Sequence, residues 1–544
     1  MTSGTNLRFA MSLPRQSAAR VKPSPTRREL LGGSPIHRLP VEILAEIFVV
    51  FASLESKTVQ KAGWTQILLV CKFWYSIACD VASLWKVIHV NPNPDWLRLC
   101  LDRAPRCVID LHIPQLHPRD FNAARHIIVP DRHRIRALHF RTTHDFLTSN
   151  VADFLTEGFP ALEELTFLPI EWRVKRGTSL GLSADAFPCL RTLVLSGVSI
   201  PREPRFYQNL RSFELHEKCS ERSGFTIDDL LDALHAASPH LQELDLSRFD
   251  PTSSPSNNQA IRQIHLQSLR SLYMENDFVV ASELTKHLRV PSNVTLRLRI
   301  SLPSSGPAPR DTTEQLFAAI LPPNMRIAFD SAKELSIHIE RNRFVVHVFD
   351  STSSDYQINR PNERRSERVN VGFFGPYTYD DALQAVPTFG VSQRLTVLTV
   401  TSPSIPQSVA AWKVLLGAFP LLNTFTVYAG RQMAFDGAVD GAFVGLSRER
   451  QAETAASISS SRRTPRCPLL KAINIVCLPG MGERRFRSGI GPFFNIVVEC
   501  LRSRAGHAGR LETLSFKSFM HSYRTGLEDS YAELGKLVDN VDIL

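Results

Sequence analysis

Beyond residue 100 the chain repeats one short phrase, apolar-x-x-apolar-x-apolar, and this repetition limits the fold more than any other feature. The phrase occurs as Val108/Leu111/Ile113, Ile135/Leu138/Phe140, Leu162/Leu165/Phe167, Leu190/Leu193/Leu195, Leu210/Phe213/Leu215, Leu241/Leu244/Leu246 and Leu269/Leu272/Met274. It returns as Leu395/Leu398/Val400, Leu422/Phe425/Val427, Leu470/Ile473/Ile475 and Leu511/Leu514/Phe516. The first seven start 27, 27, 28, 20, 31 and 28 residues apart. Several open alike, as in "FPALEEL", "FPCLRTL", "SPHLQEL", "FPLLNTF" and "CPLLKAI". A period near 27 falls in the range of leucine-rich repeats, about 20–29 residues.

Each repeat reads as one strand and one helix. Alternation in "LQELDL" buries Leu244 and Leu246 and turns Glu243 and Asp245 outward. Helical stretches lie between the phrases, at 226–237, 407–419 and 491–503. Thr226 with Asp229, and Ser530 with Glu533, have the spacing of a capping box. A single unit cannot cover its own apolar face, but stacked units can. The expected fold is therefore α/β (α+β): a curved, leucine-rich-repeat-like solenoid around a parallel sheet, over residues 96–544. The usual Asn or Cys after the third apolar position is missing; in "LQELDLSRF" Phe249 holds that slot. Between 275 and 394 the phrase fades, although 294–300 and 335–339 read as strands, so repeats with insertions are expected there. The small, polar and basic stretch 431–466 reads as an insertion loop.

Hydrophobic residues make up 43% and charged residues 21%, enough apolar material for a large core. Nine cysteines occur without any C-x-x-C pair, which argues against a disulfide framework and a zinc ribbon and for a reducing compartment. No apolar run approaches the ~20 residues of a membrane helix. Of the net charge of +10, residues 1–28 contribute +6, from Arg8, Arg15, Arg20, Lys22, Arg27 and Arg28 without an acid. Residues 1–34 read as a disordered basic tail.

From Leu39 the pattern becomes helical. Ile43 and Ile47 are four apart, and Leu44 and Phe48 repeat that spacing one step round. Pro40 suits a helix start, where its missing N–H costs nothing. A second apolar run spans 64–85, with Trp74, Ile77 and Ala78 continuing the stripe of Leu69 and Val70. "NPNPDW" at 91–96 breaks the pattern and marks a domain boundary.

Together these segments resemble the F-box. That motif opens Leu-Pro-x-Glu-Ile/Leu-Leu, runs to Ile-Phe, continues as Val-Cys-basic-x-Trp and closes Ser-Leu-Trp. Here the matching residues are Leu39, Pro40, Glu42, Ile43, Leu44, Ile47 and Phe48, then Val70, Cys71, Lys72 and Trp74, then Ser83, Leu84 and Trp85. The link between the two parts, 49–67, is longer than in the compact motif. "CLDRAPRCVIDLHI" at 100–113 is similar to the phrase that opens a degenerate repeat domain in fungal F-box proteins. The resemblance implies an F-box domain at 35–95 that binds a Skp-type adaptor, and through it cullin and RING subunits. It also implies a repeat domain that binds a target protein. The chain would then be a non-catalytic, substrate-recognition subunit of an SCF-type ubiquitin ligase in the cytoplasm or nucleus, acting by raising effective concentration. The residues expected to carry adaptor binding are Leu39, Pro40, Ile43, Leu44, Ile47, Val70, Cys71, Trp74, Leu84 and Trp85, some of them as core of the F-box itself, a division the sequence does not make. Glu164, Thr192, Glu243, Asp245, Val397 and Thr424 are expected at the target. The alternative is an adaptor-independent repeat scaffold.

Other signals carry less. "GTSLG" at 177–181 matches G-x-S-x-G, but neither the strand nor the helix that a nucleophilic Ser179 requires flanks it. Six histidines fall within 112–144 (His112, His117, His126, His133, His139 and His144) in different expected elements, without metal-ligand spacing, and read as surface or loop residues. Asp380 and Asp381 sit at an expected helix start, where acids oppose the dipole. No phosphate-binding or dinucleotide glycine motif occurs, and no cofactor is expected. The basic segments lack interleaved aromatics, which argues against nucleic acid as the partner.

Overall fold

The computed structural model describes residues 35–55, 63–143, 146, 150–169, 180–198, 201–216, 226–249, 251, 262–302, 318–340, 342–350, 367–375, 379–390, 394–402, 408–430, 440–446, 466–478, 490–506, 510–517 and 528–543. The 1–34 segment, Ser179, His144 and most of 431–466 lie outside these residues. The chain forms two compact units, Met1–Lys86 with Arg103–Arg106, and Val87–Asp102 with Cys107–Leu544.

The first unit is helical, with α1 (Val41–Glu55), α2 (Ile67–Val70) and α3 (Lys72–Asp80). Pro40 stands just ahead of α1, and its carbonyl accepts the Leu44 N–H at 3.1 Å. The apolar run over 64–85 is divided at Cys71, whose extended backbone (φ −161°, ψ 167°) ends α2 and caps α3. Its Sγ accepts from the Trp74 N–H at 3.5 Å, and its carbonyl from the Tyr75 N–H at 2.9 Å. The core of this unit contains Leu44, Phe48, Trp64, Ile77, Leu84 and Trp85. Phe48 lies 4.9 Å from Trp74, and Trp64 meets Trp85 edge-on at 5.1 Å. The Trp85 indole N–H donates to the Ala78 carbonyl at 2.8 Å, satisfying a buried donor.

The second unit holds nineteen strands among the described residues: β1 (Val87–His89), β2 (Ile109–Pro114), β3 (Ile135–Thr142), β4 (Glu164–Pro169), β5 (Thr192–Ser196), β6 (Ser212–His216), β7 (Glu243–Ser247), β8 (Ile264–His265), β9 (Ser271–Asp277) and β10 (Leu288–Arg289). They continue as β11 (Thr295–Ser301), β12 (Glu334–Glu340), β13 (Arg343–Phe349), β14 (Val369–Phe374), β15 (Val397–Ser402), β16 (Thr424–Gly430), β17 (Ala472–Leu478), β18 (Leu511–Lys517) and β19 (Val538–Ile543). Seventeen form one sheet; β8 and β10 pair separately.

The sheet runs in chain order from β1 to β7, then β9 and β11, every pair parallel. There the order inverts: β14, β13 and β12 follow β11, with β13 antiparallel to both neighbours. Parallel order resumes from β12 through β15 to β19. This inversion is the physical content of the poorly patterned stretch 275–394: a β12–β13 hairpin interrupts the one-strand-per-repeat rule.

The recurring sequence phrase has a recurring backbone form. In "FPAL", "FPCL", "FPLL" and "CPLL" the Leu N–H donates to the carbonyl three residues back: Leu162 to Phe159 (3.1 Å), Leu190 to Phe187 (3.2 Å), Leu422 to Phe419 (3.2 Å) and Leu470 to Cys467 (3.1 Å). Proline at the second position of such a turn fixes φ in advance. The turn drops Phe159, Phe187, Phe419 and Cys467 into the core. At several strand starts one carbonyl then accepts two N–H groups from the next repeat; Glu163 O takes Arg191 (2.8 Å) and Thr192 (2.9 Å), and Arg211 O takes Gln242 (2.7 Å) and Glu243 (2.9 Å). Edge-to-face and stacked rings from Phe140 through Phe154, Phe159, Phe187, Phe206 and Tyr207 to Phe213 link consecutive repeats.

Three local expectations are revised. Val108 is exposed, and Ile109 is the buried residue, beside a register shift at Ile109/Asp110. Ser530 lies inside the helix Glu528–Leu537 rather than at its cap. The Asn absent from its usual slot is supplied by the neighbouring strand: Asn276 Oδ1 accepts the Phe249 N–H at 2.7 Å and its Nδ2 donates to Leu246 O at 3.3 Å. Thr226 and Asp229 do form a capping box.

Candidate functional site

In the first unit, α1 divides its apolar residues between core and surface. Leu44 and Phe48 are buried, whereas Val41, Ile43, Ile47, Val50 and Phe51 remain exposed. On α2, Ile67 is buried while Leu69 and Val70 are exposed, at 66% and 56%. Neither helix carries a lysine or arginine on these segments, so the uncovered surface is aliphatic and uncharged apart from Glu42 and Glu46. Several uncovered apolar residues on a small helical unit make it a candidate contact surface.

The structure sorts the ten residues expected at the adaptor. Pro40, Ile43, Ile47 and Val70 are exposed; Leu39, Cys71 and Trp74 are half-buried. Leu44, Leu84 and Trp85 are buried and make up the core share of the set. Leu69 is not among the residues expected at the adaptor, although the sequence places it beside Val70 in the same apolar stripe.

In the second unit, alternate strand residues face away from the buried row and form an open face of the sheet. Glu164, Thr192 and Glu243 are aligned through β4–β7, with Ser212 between the last two. Val397 and Thr424 are partners on β15 and β16. Tracing the register through β9, β11, β14, β13 and β12 places these five in one transverse row, with Asp245 in the next. All six are half-buried or exposed.

That next row also holds His89, His112 and His139, in register on β1, β2 and β3. Their rings stack at 4.7 and 4.4 Å. His112 and His139 are thus strand residues of the open face, not the surface or loop histidines expected. Burial, and repulsion from His139 and His89, push His112 down to about 3. His89 is lowered for the same two reasons, burial and His139. His139 is lowered by burial, against the pull of Glu164 and Asp110. Further along, the open face is acidic at Glu214, Asp245 and Glu275 and basic at Arg297 and Arg299. Glu275 is neutralised by Arg248 at 3.0 Å and Arg299 at 3.8 Å.

Residues 36–91 match the F-box-like family model. This match spans α1, α2 and α3, the segment that carries the uncovered aliphatic side chains. No curated protein matches the chain. No helix among the described residues is long and apolar enough to cross a membrane.

Proposed function

We propose that this chain is the substrate-recognition subunit of an SCF-type ubiquitin ligase. A Skp-type adaptor docks on the uncovered aliphatic residues of α1 and α2 (Ile43, Ile47 and Val70, with Leu39, Pro40, Cys71 and Trp74 beside them) and connects the chain to cullin and RING subunits. The single observation that carries this reading is the exposure of Ile43, Ile47, Leu69 and Val70 within a segment that matches the F-box-like family. Burying one such side chain is worth about 1.5–3 kcal/mol, so a few suffice for a stable contact.

In this reading the domain borders are 35–95 for the F-box and 96–544 for a degenerate leucine-rich-repeat-like domain, of the kind that follows the F-box in fungal proteins. The basic tail precedes both. The open face of the sheet holds the target protein, with Glu164, Thr192, Glu243, Asp245, Val397 and Thr424 among its contacts. The chain itself makes and breaks no bonds; it works in the cytoplasm or nucleus by holding a target close to a charged conjugating enzyme. The test is co-purification of adaptor and cullin with the full-length chain and with a form lacking residues 35–90. Retention of the adaptor by the shortened form would leave an adaptor-independent scaffold as the better reading.

A further inference from the structure

The geometry points to a divalent-metal site on the open face of the sheet, formed by Glu214, His216 and Asp245 and suited to Zn²⁺. One donor atom from each residue lies within 4.8 Å of the others. Parallel register sets Glu214 of β6 directly opposite Asp245 of β7, and His216 two residues on along β6. Its ring nitrogens address both acids: Nε2 lies 3.2 Å from Glu214 Oε2, and Nδ1 lies 3.9 Å from Asp245 Oδ1.

Like charges directly opposite on neighbouring strands destabilise a sheet. Glu275 on the adjacent strand stands opposite Ser247 and Arg299 rather than an acid, and is paired with Arg248 and Arg299. Among the described residues, no lysine or arginine pairs with Glu214 or Asp245; the imidazole is the group that faces both. A cation held by all three resolves the repulsion. One imidazole and two carboxylates are a borderline-to-hard donor set that fits Zn²⁺ and leaves a fourth position open for water or an added donor. Metal–ligand bonds of about 2.0–2.2 Å require donors about 3.3 Å apart. These side chains are 24–38% exposed, so rotation about their χ angles closes the set without moving the sheet. Ser247 Oγ donates to Asp245 Oδ1 at 2.7 Å and orients that carboxylate from outside the ligand set.

Without a metal, the same three residues would be an imidazole bridging two carboxyl groups, and Zn²⁺ binding separates the two arrangements. The full-length chain is stripped with chelator and titrated with Zn²⁺ alone by calorimetry, and the bound metal is counted by mass spectrometry after gel filtration. The nine cysteines offer other zinc ligands, so the comparison is with H216A and with E214Q/D245N. The expected result is one equivalent fewer, or at least about tenfold weaker binding, in both variants, because even partners outside the ligand set are worth 10–100-fold. Co²⁺ at this site would show ligand-field bands without thiolate charge-transfer bands. Equal stoichiometry and affinity in parent and variants would overturn the site in favour of the metal-free imidazole bridge. Should H216A melt earlier in chelator, E214Q, which keeps the side-chain shape, decides by the same comparison. The outcome does not depend on the ligase reading, since the adaptor is absent from the assay.

Discussion

Ile43 and Leu44 are consecutive on α1, yet Ile43 is 47% exposed and Leu44 is fully buried. The boundary between the core of the first unit and its exposed face passes between them. Two substitutions one residue apart should therefore fail in different ways. Leu44→Ala leaves a cavity and is expected to cost about 2–5 kcal/mol of stability. Ile43→Asp should change stability by no more than about 0.5 kcal/mol. Chemical denaturation of the full chain, followed by tryptophan fluorescence, reads both; equal losses would remove the boundary.

Trp85 closes the first unit through its bond to Ala78 and its edge contact with Trp64. Trp85→Phe keeps most of the volume but strands the Ala78 carbonyl. The expected loss is about 1–3 kcal/mol, the cost of a buried acceptor left unsatisfied. A melting temperature equal to that of the parent would mean that the bond contributes nothing.

Asn276 ties β9 to the end of β7 by two bonds, through the Phe249 N–H and the Leu246 carbonyl. Asn276→Ala should destabilise the second unit by about 1–3 kcal/mol and raise hydrogen exchange at the Phe249 amide selectively. Unchanged exchange at Phe249 would show that another acceptor has taken over.

The stacked histidines make stability pH-dependent with a definite sign. His112 is held near 3, below its ordinary value of about 6.5, and His89 and His139 are lowered with it. Between those values the unfolded chain takes up protons that the folded chain excludes. Their contribution is complete above about pH 6.5 and is lost as pH falls toward 3. The urea midpoint should fall over that window, and His112→Gln should flatten the slope. Burial holds His338 near 4, so some slope should persist in the variant. Parallel profiles for parent and variant would contradict the role of the stack.

The strand positions were legible in the sequence because the strand phrase is local: its turn, its buried row and its proline all fall within nine residues, as from Phe159 to Phe167. The helix cap at Thr226 was legible for the same reason. The order of β11 to β15 was not, since the β12–β13 hairpin changes which strands are neighbours without disturbing alternation within either. The histidine stack was in reach. His112 and His139 each stand between the second and third apolar positions of their phrase, and so do Glu214 and Asp245. Aligning the phrases by that position puts all four on one row. On α1, the division between Ile43 and Leu44 could not be read from a stripe wide enough to serve both core and surface. It depends on where Trp64, Trp74 and Trp85 pack.

The uncovered aliphatic face of α1 and α2 is the centre of the functional reading. Calorimetric titration of a Skp-type adaptor into the full-length chain, its Ile43→Asp/Ile47→Asp variant and its Val70→Asp variant tests it most directly. Saturable one-to-one binding to the parent is expected. Both variants should bind at least about a hundredfold more weakly, equivalent to about 2.7 kcal/mol, with unchanged melting temperatures. Undiminished binding by both variants, or no binding by the parent, would contradict adaptor docking on this face.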